Sequence, residues 1–413
     1  MLPIDFVLRR IIAKGTLEVT DHRGQRHVIG DGTDPKVSIR ITDKWFATKL
    51  ALSPSVTIGE SYMDGTLKLT NDASIYNFLE ILLMNVGGGD YPLINRIFMA
   101  LDTMFRRLQQ FNPARRSKAN VAHHYDLSGG LYELFLDPDK QYSCAYFDTP
   151  ESDLATAQED KKYHIAAKLL LDKGLRVLDI GSGWGGLGLY LAHQFGACVT
   201  GITLSEEQHK ISNQRAQENN LQDCAEFRLH DYRTLEGEFD RIVSVGMFEH
   251  VGAGHYQAFF DKIRNLLTED GVALLHTIGR SGPPLSTDAW TRKYIFPGGS
   301  MPSLSDTAPA IEKAGLVVTD IEFLGRHYAE TLRHWQINFR ANRNKVRDIY
   351  DERFCRMWEY YLAGAEASFR YLGLTVFQIQ LARRQDAVPM TRDYIAETEA
   401  KLKNPRSERQ RAA

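Results

Sequence analysis

The N-terminal quarter of the chain combines segments of alternating apolar and polar residues with segments of helical spacing. Residues 15–41 alternate around two glycine-containing turns, which predicts short β-strands. Asn71 and Asp72 are the predicted N-cap of a helix that continues to the three glycines at 87–89. A second helical pattern follows at residues 93–108. We therefore expect a small α+β domain here.

Basic residues accompany and follow the second helical pattern. They are Arg96, Arg106, Arg107, Arg115 and Arg116. A basic amphipathic helix is typical of a surface that binds an anionic membrane. A helix that packs on its own domain with solvated arginines explains the same pattern, so both alternatives stay open. Residues 112–120 have few apolar positions and include a proline, so we place a linker at 112–122.

From residue 123 onward, apolar strands alternate with amphipathic helices. The predicted strands cover residues 176–180, 197–202, 225–229, 241–245, 272–278 and 317–323. The predicted helices include residues 154–171, 206–219 and 255–267. Repeated β–α units of this length specify a largely parallel, doubly wound α/β sheet.

Two segments close the chain. Residues 329–385 are rich in aromatic side chains and are predicted to cover the ligand-bearing end of the sheet as a helical layer. The residues from about 400 onward are polar and basic, and we expect them to be disordered. The predicted division is an N-terminal domain at 1–111, the linker, a larger α/β domain at 123–390 and a polar tail at 391–413.

Two segments of the larger domain carry the residue types of a ligand site. The first, Val177-Leu-Asp-Ile-Gly-Ser-Gly-Trp-Gly-Gly186, is an apolar strand that reaches an acid and enters a glycine-rich turn. Open α/β sheets bind nucleotide-like ligands at such a turn. The second is an apolar strand that leads to Glu249 and His250, where such folds keep their chemistry. Together the two segments predict an enzyme.

The glycine loop is compatible with two kinds of cofactor. Gly181, Gly183 and Gly186 match the G-x-G-x-x-G of dinucleotide-binding enzymes, which hold the ribose with an acid at the tip of the second strand. Here that tip, Thr203-Leu-Ser205, contains no acid. The loop can also be a turn that only permits tight packing of strand and helix.

Asp179 and the residues after the second strand favour S-adenosylmethionine over a dinucleotide. Glu206 and Glu207 lie inside a helix that Ser205 is predicted to cap, with Gln208 at S-x-x-Q spacing. Asp179 directly precedes the glycines and suits a cofactor whose amino-acid end needs polar partners and which has no pyrophosphate. We therefore favour a methyltransferase over a dehydrogenase.

Composition excludes several classes of protein. The 413 residues are 43% hydrophobic, enough to form two cores, and the net charge of −2 argues against a general nucleic-acid binder. Neither a run of 18 apolar residues nor a secretory signal pattern occurs. The four cysteines include no C-x-x-C pair, which is typical of a reduced cytoplasmic protein without disulfides or structural zinc.

A series of short blocks spans most of residues 58–380. The blocks are IGESYMDG at 58–65, HYDLS at 124–128, QYSCAYF at 141–147, LDIGSGWG at 178–185, GITLS at 201–205, MFEH at 247–250, HTIG at 276–279, YIFPGG at 294–299 and HYAETL at 327–332. In this order they resemble the cyclopropane-fatty-acyl-phospholipid synthases, which use S-adenosylmethionine to convert a cis double bond of a lipid acyl chain into a cyclopropane. The resemblance implies a Rossmann-like methyltransferase sheet, a smaller α+β N-terminal domain and a C-terminal helical cover.

The chemistry of that reaction defines what the site must contain. An alkene is a poor nucleophile, so the methyl donor must be held in line with it in a dry pocket. Methyl transfer leaves a carbocation, which needs electrostatic and aromatic stabilisation. A base must then remove a proton from the transferred methyl group so that the ring closes. The resemblance implies that this base is a bound bicarbonate.

In the family, bicarbonate is held by residues that match five positions here, namely Cys144, Glu249, His276, Ile278 and Tyr328. His276, the Tyr328 hydroxyl and backbone N–H groups near Cys144 and Ile278 can donate to the ion, and Glu249 can accept its proton. Because Glu249 and His276 end neighbouring predicted strands, we expect them to converge. Each residue taken alone is equally compatible with a purely structural role.

The resemblance also implies a set of cofactor-binding residues. Around S-adenosylmethionine it places Tyr142, Ser143, Gly181, Gly183, Thr203, Leu204 and Gln208. Asp231 and Tyr232, at the end of the third strand, are placed near the adenine by analogy. His123, His124 and Tyr125 have no carboxylate or cysteine cluster at ligand spacing, so we predict no metal.

Three functions stay open. The first is a lipid cyclopropane synthase that acts on an unsaturated phospholipid, in the cytoplasm and peripherally bound to the inner face of the membrane. The second is a relative that makes methyl- or methylene-branched chains or methylates another acceptor. The third is a non-catalytic lipid- or cofactor-binding protein. The N-terminal domain favours a lipid acceptor, and it can bind lipid, form a homodimer, or both.

Overall fold

A computed structural model of the chain describes residues 5, 8, 9, 11–86, 129–284, 286–299 and 301–411. The predicted basic helix at 93–108, the linker at 112–122 and the histidines at 123 and 124 lie outside the described residues. The strands are β1 Thr16–Thr20, β2 Arg26–Gly30, β3 Lys36–Ile41, β4 Leu67–Leu69, β5 Arg176–Ile180, β6 Cys198–Thr203, β7 Ala225–Leu229, β8 Phe239–Val245, β9 Leu267–Arg280, β10 Val317–Phe323 and β11 Leu374–Ala382.

The helices of the described residues begin in the N-terminal domain. They are α1 Phe46–Leu52, α2 Pro54–Met63, α3 Ile75–Val86, α4 Gly129–Glu133, α5 Leu154–Lys168, α6 Gly186–Phe195, α7 Glu206–Glu218, α8 Tyr256–Leu266, α9 Ala289–Tyr294, α10 Leu304–Lys313, α11 Gly325–Ala341, α12 Arg343–Ile349, α13 Glu352–Tyr371 and α14 Asp393–Arg411. A short 3₁₀ turn, Phe248–His250, follows β8.

The larger sheet has the order β10-β11-β9-β8-β5-β6-β7. Strands β9, β8, β5, β6 and β7 pair in parallel, which confirms the predicted doubly wound α/β fold. From β5 the chain first builds outward through β6 and β7, then returns to add β8 on the other side of β5. This reversal opens a crevice at the carboxyl ends of β5 and β8, the position where such sheets bind ligands.

Strand β11 corrects the prediction that residues 329–385 are entirely helical. It lies between β10 and β9 and pairs antiparallel with both. Helix α13 ends before Gly373, whose φ of +68° is a backbone conformation that favours glycine. The sequence carries a strand pattern here, because Phe377, Ile379 and Leu381 alternate with Gln378 and Gln380, although the structure buries both faces of the strand.

Helices α11 and α13 pack against each other and form the predicted aromatic layer. The N-terminal sheet has the order β2-β1-β3-β4, with β1 and β3 parallel. Helix α3 of this domain packs on α13, where the Tyr371 hydroxyl donates to Glu80 at 2.6 Å. The N-terminal domain and the aromatic layer therefore share one hydrophobic core.

Two local predictions were wrong. Helix α3 is capped by Ser74 and not by Asn71 or Asp72, because the Ser74 hydroxyl accepts from the Asn77 N–H while Asn71 bonds to β3. The C-terminal residues form α14, although we expected disorder from about residue 400. This helix packs on α5, where Glu399 contacts the His164 ring, and it buries Ile395.

Two helical glycines test how tightly the N-terminal domain packs. A Cβ at Gly59 in α2 would lie 2.3 Å from the indole nitrogen of the buried Trp290. A Cβ at Gly364 in α13 would make an ordinary 3.7 Å contact with Leu79. We expect Gly59→Ala to destabilise the protein by about 1–3 kcal/mol through overpacking. Gly364→Ala should be neutral or stabilising by about 0.5–1 kcal/mol. Thermal unfolding of both variants measures the two changes in stability. Equal midpoints would contradict the close contact between Gly59 and Trp290.

Candidate active site

The glycine loop follows β5 at the crevice. Gly181, Gly183 and Gly185 all have positive φ, at +85°, +54° and +82°. The N–H groups of Gly181 and Ser182 donate to the Ile202 carbonyl of β6, at 2.9 and 3.0 Å, which fixes the turn. A Cβ at Gly183 would meet nothing within 4 Å. The loop therefore leaves open space beside Gly183, which is more than tight strand–helix packing requires.

One cavity lies beside this loop, and all the residues predicted to bind the cofactor line it. They are Tyr142, Ser143, Asp179, Gly181, Gly183, Thr203, Leu204, Gln208, Asp231 and Tyr232. The lining also includes Lys161, Met247 and His250. The structure thus brings together residues that are up to 90 positions apart, because the carboxyl ends of parallel strands meet at one edge of the sheet.

Hydrogen bonds hold the second strand end in place. The Thr203 hydroxyl donates to Gln208 Oε1 at 2.8 Å. The Ser205 hydroxyl accepts from the Gln208 N–H at 3.3 Å, as the predicted capping pattern requires. Asp231 accepts from the Arg233 N–H and guanidinium, and these contacts outweigh burial and lower the pKa of its carboxyl. Asp231 is therefore an ionised group at the cavity wall.

Asp179 is the buried acid of the site. Its carboxyl is 2% exposed, and its Oδ2 atom has no hydrogen-bond partner in the described part of the chain. Burial raises the pKa of this carboxyl to about 7, and the positive charge of Lys161 opposes the shift. A buried polar atom without a partner at a cavity wall is suited to a ligand.

Sequence reasoning missed Lys161, which lies on the buried face of α5. Its ammonium group donates to Gln141 Oε1 at 2.7 Å and to the Ser143 hydroxyl at 2.8 Å. The signal was present, because Lys161 follows Leu154 and Ala157 and precedes Ile165 at the spacing of one helix face. A charged residue within an apolar stripe marks a site with a specific partner.

Glu249 and Ile278 contact each other directly. Glu249 lies in the 3₁₀ turn after β8, and its Oε1 accepts from the Ile278 N–H of β9 at 2.6 Å. We expected this N–H to face an anion. In the structure it donates to Glu249 instead. Glu249 Oε2 is buried and has no partner among the described residues. Burial raises the pKa of Glu249 to about 7.

His276 is buried on β9, and its Nδ1 lies 3.1 Å from the amide nitrogen of Gln378 on β11. Burial lowers the pKa of His276 well below its ordinary value, so the ring is neutral. When the Gln378 amide donates to Nδ1, the ring proton is on Nε2. That Nε2 atom is buried without a partner in the described residues. His276 and Ile278 share one face of β9, since they are two residues apart.

Cys144 and Tyr328 belong to a second group of contacts, around α11, separate from the contacts that Glu249 and His276 make. The Cys144 thiol donates to the Leu324 carbonyl at 3.8 Å, and the Ala145 N–H donates to the Thr331 hydroxyl at 3.0 Å. Burial raises the pKa of Cys144, which therefore stays a thiol. The Tyr328 ring lies in the aromatic layer. Ile278 packs against the hydrophobic cluster that contains both Cys144 and Tyr328.

Aromatic rings connect this second group to the cavity. Tyr142 stacks on Trp335 with ring centroids 5.2 Å apart, and its hydroxyl lies 3.0 Å from that of Tyr361. Tyr328 contacts Trp335 edge-on at 5.9 Å and Phe369 at 4.7 Å. The five predicted anion-site residues do not line the cofactor cavity themselves. Three of them directly neighbour lining residues in sequence or across strands, namely Cys144 beside Ser143, Glu249 beside His250, and His276 opposite Val245.

Comparison with known proteins identifies the family. The family described as mycolic acid cyclopropane synthetase matches residues 112–379 of the chain. The cyclopropane-fatty-acyl-phospholipid synthase of Escherichia coli K12 is 37% identical over 353 residues, which cover 86% of this chain and 89% of that protein. The chain belongs to the cyclopropane synthase family. It is an S-adenosylmethionine-dependent methyltransferase.

Other members of the family differ in their stated products. A probable fatty acid methyltransferase of Pseudomonas putida is 35% identical over 361 residues, 84% of this chain and 87% of that protein. The crystal structure of mycolic acid cyclopropane synthase CmaA1 complexed with SAH and CTAB has a TM-score of 0.61 and 33% identity. The matched region covers 66% of this chain and 99% of the CmaA1 chain. The bound SAH supports S-adenosylmethionine as the cofactor here.

The described residues lack two features. They contain no helix long and apolar enough to cross a membrane. They contain no group of three or more histidine, cysteine or acidic side chains placed to hold a metal ion.

The open space beside Gly183 generates a test with a matched control. We expect Gly183→Val to abolish detectable binding of S-adenosylhomocysteine, because the side chain enters the cavity and strains a φ of +54°. Gly174→Val is the control, since Gly174 has a φ of +80° and equally open surroundings but precedes β5, outside the cavity lining. Isothermal calorimetry on both folded variants measures their affinities for S-adenosylhomocysteine. Equal affinities would show that the loop acts only as a turn.

Proposed function

We propose that the chain is a cyclopropane-fatty-acyl-phospholipid synthase that acts on a cis double bond of a phospholipid acyl chain. The proposal is carried by one observation. Glu249, in the turn after β8, and His276, on β9 opposite the last residue of β8, each bury a polar atom that has no partner in the described residues. An unpaired acceptor and an unpaired donor suit a small ion that has both a proton to give and oxygens to accept.

Bicarbonate has this combination of groups. When bound, S-adenosylmethionine supplies the methyl group and bicarbonate supplies the base that takes a proton from that group, so that the ring closes. Glu249 Oε2 accepts the ion's proton and sets its orientation. His276 Nε2 and the Tyr328 hydroxyl donate to its oxygens. The Ile278 N–H acts through Glu249, whose position it fixes.

The surroundings suit a cationic transition state. Glu249 and His276 are buried, so bulk water is excluded from the reacting carbon and does not compete with ring closure. The aromatic layer around Tyr142, Trp335 and Tyr328 presents π-faces and edges near the same region. Ring faces stabilise positive charge, which favours methylation of an alkene in this environment.

We further propose that the N-terminal domain brings the enzyme to the inner face of the membrane. The basic residues at 96–116 supply the positive charge for an anionic surface. The packing of α3 on α13 links that domain to the aromatic layer, so a bound lipid enters next to the site. Dimerisation through the same domain is compatible with this arrangement.

A second candidate function has an observation in its favour. The Pseudomonas putida relative, named a probable fatty acid methyltransferase, is about as similar to this chain as the synthase of Escherichia coli. A methyl- or methylene-branched acyl chain is therefore the alternative product. The same carbocation leads to each product. Loss of a proton from the transferred methyl group closes the ring, the same loss after a 1,2-hydride shift leaves a methylene branch, and a saturated methyl branch needs hydride from a separate reductant.

We expect Glu249→Gln to lower kcat about 100-fold, because a misoriented base costs this much in rate. Affinity for S-adenosylhomocysteine should stay within about threefold, since Glu249 does not line the cofactor cavity. Glu366→Gln is the matched control, because Glu366 is equally buried but is held by Gln336 and Arg370 in the aromatic layer. Unchanged turnover in Glu249→Gln would remove this residue from the proposed role.

Bicarbonate dependence tests the base directly. We expect the rate to fall in carbonate-free buffer and to recover when bicarbonate is added, since a plain methyltransferase has no need of the ion. In His276→Ala the bicarbonate concentration for half-maximal rate should rise roughly tenfold, because one charge-assisted hydrogen bond is lost. Full activity without carbonate would mean that a side chain is the base, with Glu249 the first candidate.

A further inference from the structure

Three lysines of α5 differ in how their charges are paired. Lys162 forms an ion pair with Asp139 at 2.9 Å. Lys168, which is fully buried, pairs with Glu322 and with Asp320. Lys161 is 1% exposed, and it forms no ion pair with a carboxylate in the described part of the chain. A buried ammonium group without a paired anion is costly, so its retention calls for a partner.

The hydrogen bonds of Lys161 leave one donor for such a partner. An ammonium group has three N–H donors. Two of them bond to Gln141 Oε1 and the Ser143 hydroxyl. Both acceptors are neutral and line the cofactor cavity, as does Lys161 itself. The third N–H of this ammonium group is therefore left for a ligand in the cavity.

Anchoring of the neighbouring segment does not require the Lys161 charge. The Gln158 amide, one turn earlier on α5, donates to the backbone carbonyls of Gln141 and Ser143 at 3.2 and 3.0 Å. The Tyr146 N–H donates to the Ala157 carbonyl at 3.0 Å. These bonds fix the backbone of the segment against α5, so a purely structural role does not account for a buried positive charge at position 161.

The cavity also carries an ionisable group of the opposite kind. Asp179 lines the same cavity and has a buried Oδ2 atom without a partner among the described residues. The lining therefore offers both an ammonium group and a carboxyl group. The amino-acid end of S-adenosylmethionine is a zwitterion, with a carboxylate and an ammonium group on one carbon. The two groups complement these two charges.

We propose that Lys161 binds the carboxylate of the amino-acid end of S-adenosylmethionine, with Asp179 on the ammonium side. The role rests on the methyltransferase assignment and does not depend on bicarbonate or on the lipid product. Lys161 is then a cofactor-binding residue whose contact with the ligand is ionic, while the glycine loop and the second strand end hold the rest of the molecule.

Two ligands separate an ionic contact from a structural role. S-Adenosylhomocysteine has the amino-acid end, whereas 5′-methylthioadenosine has the same nucleoside and thioether without it. In Lys161→Met we expect the affinity for S-adenosylhomocysteine to fall roughly ten- to hundredfold, because a hydrogen bond between charged groups is lost. The affinity for 5′-methylthioadenosine should change less than about threefold. Calorimetry with both ligands measures the two effects on the same protein.

Lys168→Met is the matched control, since it removes an equally buried lysine from the same helix outside the cavity lining. It should leave both affinities unchanged in the folded protein. Lys161→Gln keeps a donor for Gln141 and Ser143 and serves if the methionine variant does not fold. Equal losses for both ligands would show a structural role and overturn the proposal, as would unchanged binding of S-adenosylhomocysteine.

The pH dependence gives an independent readout. Burial lowers the pKa of Lys161 to about 8, so the free protein loses this charge as the pH rises above that value. The wild-type affinity for S-adenosylhomocysteine should therefore fall at alkaline pH. The groups that act on Lys161 are Asp137, Asp139, Cys144, Lys162, Asp179 and His276.

Lys161→Met should show a flatter pH dependence for the same ligand. The ligand's own ammonium group titrates equally with both proteins, so it cancels in the comparison. Identical slopes for wild type and variant would contradict the ionic contact.

Discussion

Burial of ionisable groups at the carboxyl ends of β5, β8 and β9 is the constraint on which the site depends. Asp179, Glu249 and His276 are each almost fully removed from water, and burial shifts each pKa toward the neutral form. Removal from water leaves each group with one atom that the described protein does not satisfy. Ligands that bring the missing partners therefore bind where the fold has already excluded solvent.

The sheet explains why these groups occur together. Reversal of the strand order beside β5 opens the crevice, and β8 and β9 continue it toward the aromatic layer. The lining of the cavity comes from the ends of β5, β6 and β8, whereas Glu249 and His276 lie outside this lining on the β8–β9 side. A methyl donor and a base held on these two sides would face a common acceptor between them. The N-terminal domain and α13 share one hydrophobic core, which adjoins the aromatic layer.

Much of this arrangement follows from the sequence. Strands β5, β7 and β10 begin and end where their apolar runs predict, and the glycine loop marks the cavity. Strand β11 was missed although Phe377, Ile379 and Leu381 alternate with Gln378 and Gln380, because this short pattern follows the long aromatic-rich helical segment almost directly. Helix α14 was not predicted because its order depends on tertiary contacts, including the contact of Glu399 with His164. The unpaired charge of Lys161 is also a tertiary property, since only the fold shows which lysines of α5 meet a carboxylate.

The central claim is that a transferred methyl group loses one proton and closes a ring. Incubation of the purified enzyme with an unsaturated phospholipid and S-adenosylmethionine that carries a trideuterated methyl group tests it most directly. Mass spectrometry should show two retained deuterium atoms, and proton NMR should show the two cyclopropane methine protons while the ring methylene, which is then CD2, gives no signal. A product that retains all three deuterium atoms in a methyl branch, or one with a methylene group in place of the ring, would contradict the account.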